Sequence, residues 1–281
     1  MKGGPHILLS SDSGTGKSTF AATIIQERNP RPVLIQAFDA RDKLRAYYKR
    51  ATRVESSDSK FGPRELLYRD DKLVAVLERW HERGGRGSRG VTMKGGNQVQ
   101  TIRFDTQGRV FEQYLERMRH FDEEIEQYYA YIHDSSTFCE LAVRAYLTGI
   151  MHVKDNQMIW GQATDELERF YSFLFPDLPV TTILISHAGN ELMKDGNERI
   201  ATGRRNVRLP GRLRDDLYAS FGEIYRCYIN FSKRDGTTEY LVQTQGDKQW
   251  RCQSQIGVPN PMEPHWKHVY RAMEKVGATV E

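Results

Sequence analysis

The chain has 281 residues, with 41 lysines and arginines against 37 acids, a net charge of +4, and 38% hydrophobic residues. That length suits one large domain or a core carrying a substantial insertion, and the mildly basic balance permits an acidic partner without demanding one. Three scattered cysteines without C-x-x-C spacing exclude a disulfide framework or a zinc site, and no apolar run approaches the roughly 18 residues of a membrane span. A start that leaves no room for a signal peptide adds to an expectation of a cytoplasmic protein with no membrane partner.

Taken in chain order, the first apolar run, His6-Ile7-Leu8-Leu9, predicts a strand. It is followed by Ser11-Asp12-Ser13-Gly14-Thr15-Gly16-Lys17-Ser18-Thr19 and a helix-like stretch from Phe20 to Ile25. This strand–loop–helix order is what a phosphate-binding P-loop requires. Gly14 and Gly16 allow the backbone to turn successive N–H groups inward, and Ser13, Thr15 and Thr19 complete the cradle. Lys17 supplies a charge for the β/γ-phosphates of ATP, and the Ser18 hydroxyl is placed to ligate Mg2+. The first glycine of the motif is replaced by Ser11.

Pro32 to Asp39 predicts a second buried strand ending in an acid. Residues 40–100 read as an insertion of uncertain structure, with a helix around Asp71–His81, a mobile glycine/arginine loop at 84–90, and a short strand at Gln98–Phe104. An amphipathic helix over about 108–128 leads to Tyr129–Asp134, a buried strand ending in an acid, and a helix through Leu147. A further helix near 163–175 precedes the strand Val180–His187. Runs at Glu223–Phe231 and Thr238–Thr244 form a C-terminal β-hairpin, and a helix over about 264–276 closes the chain. The alternation predicts an α/β fold, a mostly parallel sheet flanked by helices.

A P-loop enzyme needs a carboxylate at the end of another core strand to hold Mg2+, and Asp134 fits. Asp134 or Ser135 also reads as a helix N-cap. His187 is a candidate γ-phosphate sensor or a merely structural histidine. Asp39 or Asp42 could activate water, or be exposed loop acids. From 188 to 214, Lys194, Arg199, Arg204, Arg205, Arg208, Arg212 and Arg214, interspersed with glycines, make a flexible cationic segment suited to nucleic-acid phosphates, or simply a solvated loop. Met158, Trp160 or Tyr171 could provide base stacking.

The P-loop, Ile132-His133-Asp134-Ser135-Ser136 and Thr182–His187, in this order, resemble the RecA-type ATPase core. Leu209–Arg214 and Phe221–Arg226 bring the chain close to compact phage RecA-like proteins, some of them single-strand-annealing recombinases. The resemblance covers roughly 5–40 and 125–270. It implies a single RecA-like domain over 1–281 and ATP hydrolysis with Mg2+ between subunits of a ring or filament. It also implies single-stranded DNA held by loops after the third and fourth core strands, a host-cell cytoplasmic location, and a single-strand-binding protein as a candidate partner. Arg212 or Arg214 could serve as an arginine finger. RecA-type enzymes carry a glutamate after the second strand, where this chain has Phe38-Asp39-Ala40-Arg41-Asp42. A nucleotide-regulated scaffold with little or no turnover, and a small-molecule or nucleotide kinase, are the alternatives.

Overall fold

The computed structural model describes residues 4–26, 28–39, 41–60, 62–80, 89–94, 97–102, 108–195, 198–210, 212–232 and 236–277; for 41–42, 89–102, 193–195 and 198–199 it describes backbone only. β1 (His6–Ser11) runs into the P-loop and a short α1 (Lys17–Ala22), and β2 (Val33–Ala37) follows. After a 3-10 turn at Arg41–Leu44 comes α2 (Arg45–Tyr48), then three strands, β3 (Arg53–Ser59), β4 (Gly62–Arg69) and β5 (Lys72–Arg79). The helix expected over 71–81 is therefore a strand. Leu73, Val76 and Leu77 have helical spacing, but Val74, Ala75, Val76 and Leu77 are all buried because β5 is an inner strand, paired with β2 and β4, with one core against each face.

β6 (Arg89–Lys94) and β7 (Asn97–Ile102) form a separate antiparallel pair. The glycine/arginine tract at 84–88 lies outside the described residues, and Arg89 and Gly90 open β6. The helices α3 (Arg109–Arg119) and α4 (Phe121–Glu124) precede β8 (Ala130–Asp134). Next come α5 (Ser136–Gly149) and α6 (Asn156–Glu168), which runs through a π-helical turn at Arg169–Leu174 into α7 (Phe175–Asp177). β9 (Thr181–Asp195), β10 (Glu198–Val207), α8 (Leu213–Ser220), β11 (Glu223–Phe231), β12 (Thr238–Gln243), β13 (Gln253–Ser254) and α9 (Lys267–Lys275) complete the chain.

The sheet order is β12-β11-β1-β9-β8-β2-β5-β4-β3. The run from β11 to β5 is parallel throughout, and antiparallel strands close both edges. Side chains alternate between two cores: Ile7 and Leu9 face α1, α2 and α9 with Phe20 and Trp266, while Leu8 faces Tyr114, Phe170 and Leu213. The fold is thus a mixed α/β one, a mostly parallel sheet flanked by helices, with the expected β11–β12 hairpin.

One larger departure concerns 188–214, expected as a flexible loop. β9 continues past His187 to Asp195 and turns back as β10, making a two-stranded ribbon with an irregularity between Ala201 and Arg205. Among the described residues no helix is long and apolar enough to cross a membrane.

Candidate functional site

Parallel strands bring their C-terminal ends to one edge of a sheet, where ligands of such folds gather. Register sets the residues there: Ser11 pairs with His187, and Ala37 with Asp134. A cleft of about 770 Å3 opens at this edge, lined by the P-loop (Ser13, Gly14 and Gly16–Thr19), Asp39, Asp134 and His187. The structure therefore brings together the P-loop and all three residues expected to act beside it.

The P-loop's shape follows from its residues. Gly14 (φ 79°) and Gly16 (φ 92°) adopt left-handed conformations, and a Cβ on Gly16 would lie 3.3 Å from the ring of Tyr240. Ser11 still belongs to β1 and needs no glycine freedom; its hydroxyl meets that of Thr15 at 2.6 Å and closes the loop on itself. Lys17, 6% exposed, donates from its ammonium to the carbonyls of Ser11 (2.9 Å) and Asp12 (2.7 Å). Burial pulls its pKa down, opposed by Cys227, Asp134 and Asp39.

Asp134 is buried at the tip of β8, and its bond to Ser135 is cis. Burial pushes its carboxyl above the ordinary range, while hydrogen bonds from Tyr47 and Ser18 and the charge of Lys17 pull it back. The Tyr47 hydroxyl donates to Asp134 Oδ2 at 2.7 Å. A carboxylate beside a serine hydroxyl, both open to a phosphate cradle, fits Mg2+, which keeps most of its waters and takes few protein ligands. The buried hydroxyls of Ser135 and Ser136, next along the chain, have no hydrogen-bond partner among the described residues.

His187 donates its backbone N–H to Thr137 Oγ1 (3.1 Å) and its ring meets Phe138 edge-on. Burial, with the charges of Lys17 and Arg208, lowers its pKa to about 4, so the ring is neutral at pH 7. Asp39 is buried at the end of β2; the side chain of Asp42 is outside the described residues.

The basic residues of 188–214 diverge. Arg205 pairs with Asp12 of the P-loop and with Asn190. Arg212 pairs with Asp165 (3.4 Å) and Glu168 (2.7 Å) of α6. Arg204 and Arg208 are exposed, Arg214 lies beside Asp215, and the side chains of Lys194 and Arg199 are outside the described residues.

Sequence reasoning missed Tyr47, Tyr240, and a cationic wall of Lys43, Arg45, Lys49 and Arg50 that lines the same cleft. The one available signal was the alternation of basic and apolar residues from Lys43 to Arg50, directly after the acid-ended second strand.

No protein-family model matches this chain, and no curated protein is similar to it in sequence. Among solved structures it is similar to the KaiC-like protein PH0186 from the hyperthermophilic archaeon Pyrococcus horikoshii OT3, with 13% identity and a TM-score of 0.41, over 92% of this chain and 89% of that one.

Proposed function

We propose that the protein is a RecA-like ATPase that binds ATP with Mg2+, hydrolyses it, and acts on single-stranded DNA in phage recombination, annealing or replication. The observation that carries the nucleotide part is the convergence of Lys17, Ser18 and Asp134 on one cleft beneath a loop with two left-handed glycines. In this reading the P-loop amides and Lys17 bind the phosphates, and the half-exposed ring of Tyr240 offers a flat surface to the base. Ser18 and Asp134 hold Mg2+, which when bound neutralises charge developing on the phosphates. Asp39 accepts the proton of the attacking water, and the neutral His187 reads the terminal phosphate.

Support for the DNA part is topological. The strand that ends its core run at His187 continues as the ribbon bearing Arg204 and, just beyond β10, Arg208. A phosphate-dependent movement of His187 therefore has a direct mechanical path to exposed cations. Assembly into a ring or filament belongs to the same reading. Turnover measured with and without single-stranded DNA tests it: stimulation is expected, with salt-sensitive binding that weakens when Arg204 and Arg208 are reversed in charge. The aspartate in place of a glutamate after β2 favours one alternative, a nucleotide-regulated scaffold. Nucleotide-dependent assembly without turnover would establish it.

A further inference from the structure

A second cleft, about 950 Å3, lies between α5, α6 and the segment joining β10 to α8. It shares Ser13, Phe138 and His187 with the nucleotide cleft, so the two meet where the P-loop tip faces the end of β9's core run. Its walls carry three arginines, Arg144, Arg208 and Arg214, against one acid, Glu140. Glu140 is buried and already committed: it meets the Arg144 guanidinium at 2.5 Å. The Arg144 guanidinium carbon lies over the Trp160 ring, 4.5 Å from its centroid.

Three features define a ligand. Trp160 remains 45% exposed despite the guanidinium over its ring. Arg208 forms no ion pair within 4 Å among the described residues, and the buried Nε of Arg214 has no hydrogen-bond partner there. A flat apolar platform with two under-used guanidiniums beside it matches a base attached to a phosphodiester. A purely apolar peptide would leave the arginines unanswered, and a free anion would leave the indole wet.

From this we infer that the second cleft receives a nucleotide unit of single-stranded DNA. Its base stacks on the open part of Trp160, which Arg144 and Glu140 hold in place, and its phosphates lie on Arg208 and Arg214. The inference rests on the DNA reading above and relocates its main contact from the ribbon to this cleft. Arg205 and Arg212, engaged with Asp12 and with Glu168, have no part in it. Because His187 borders both clefts, a strand lying here touches the residue that faces the terminal phosphate.

The test uses the protein's own fluorescence. Trp80, Trp250 and Trp266 are at most 6% exposed, so quenching by an unlabelled oligothymidylate reports chiefly on Trp160. The full chain, with a non-hydrolysable ATP analogue, is titrated at several salt concentrations. Wild type should be quenched; followed by the anisotropy of an end-labelled oligothymidylate, a readout that needs no tryptophan, Trp160→Leu should bind about tenfold more weakly and Trp160→Phe should recover most of the loss. Replacing Arg208 and Arg214 by alanine should lower the salt slope by about 0.7 for each. Thermal melting confirms that each variant is folded. If wild type binds the oligonucleotide but Trp160→Leu and the double arginine variant bind equally well, the cleft is not the site, and the DNA reading survives on the ribbon. A Trp160→Leu variant that changes only the sedimentation of the protein would overturn the inference in favour of a subunit contact. Absence of oligonucleotide binding by wild type in every nucleotide state would remove the DNA reading itself.

Discussion

The phenol of Tyr47 donates to Oδ2 of Asp134 across 87 positions of sequence, at 2.7 Å and out of contact with water. One lone pair of the carboxylate is thereby spoken for, and its plane is set toward Ser18. Replacing Tyr47 with phenylalanine removes the hydroxyl and little else. The Mg2+ concentration for half-maximal turnover should rise roughly tenfold, the worth of one hydrogen bond to a charged group. Affinity for ATP in the presence of a chelator should stay unchanged. Equal weakening with and without metal would mean that Tyr47 supports the fold rather than the metal.

Lys17 is enclosed by the loop it serves, with two carbonyls occupying its protons. Phosphate oxygens are stronger acceptors, so in the function proposed above the ammonium exchanges these partners when nucleotide binds. Lys17→Ala should weaken a fluorescent ATP analogue on the order of tenfold to a hundredfold while leaving the melting temperature near that of wild type. Undiminished affinity would remove the P-loop from the account.

On the opposite face of the sheet, Arg117 is fully buried between Glu78 (3.0 Å) and Glu124 (3.1 Å), and Glu78 also accepts from Gln36 (2.9 Å). Arg117→Ala strands the Glu78 charge and should cost about 3–5 kcal/mol of stability. Pairing Arg117→Met with Glu78→Gln should recover much of it, because the one carboxylate left without its partner, Glu124, is partly exposed to water. Chemical denaturation of the three proteins measures both effects.

His133 sits inside an aromatic cage, with ring nitrogens near the hydroxyls of Tyr131 (3.0 Å) and Tyr171 (3.1 Å). Burial lowers its pKa from 6.5 to about 3. The unfolded chain therefore binds a proton that the folded chain refuses between these values, and stability is lost as pH falls through that window. Buried Asp134 and Glu140, with raised pKa values, act in the opposite sense, so the comparison must be with a variant. His133→Gln should melt at a temperature that falls less steeply below pH 6.5 than wild type. A parallel decline in both proteins would assign the acid sensitivity elsewhere.

The strands β1, β2, β8 and the core run of β9 were legible because each is a continuous apolar stretch bounded by turn residues, as strands buried on both faces must be. β5 was misread as a helix because a doubly buried strand has no alternation, so chance spacing of Leu73, Val76 and Leu77 mimicked a helical period. The ribbon of β9 and β10 was hidden for the reverse reason. Outside the core both of its faces are largely polar, and its order comes from backbone pairing that side chains do not advertise.

What consecutive residues decide, this sequence decided alone: left-handed glycines, a lysine and a serine in one turn make an anion cradle wherever a strand delivers them. Which groups surround that cradle depended on the fold. Tyr47 reaches Asp134 because β2 and β8 lie side by side, and Trp160 lies under Arg144 because α5 and α6 pack together. Strand register and helix packing are properties of the whole core's burial, and a local stretch of residues carries no record of them.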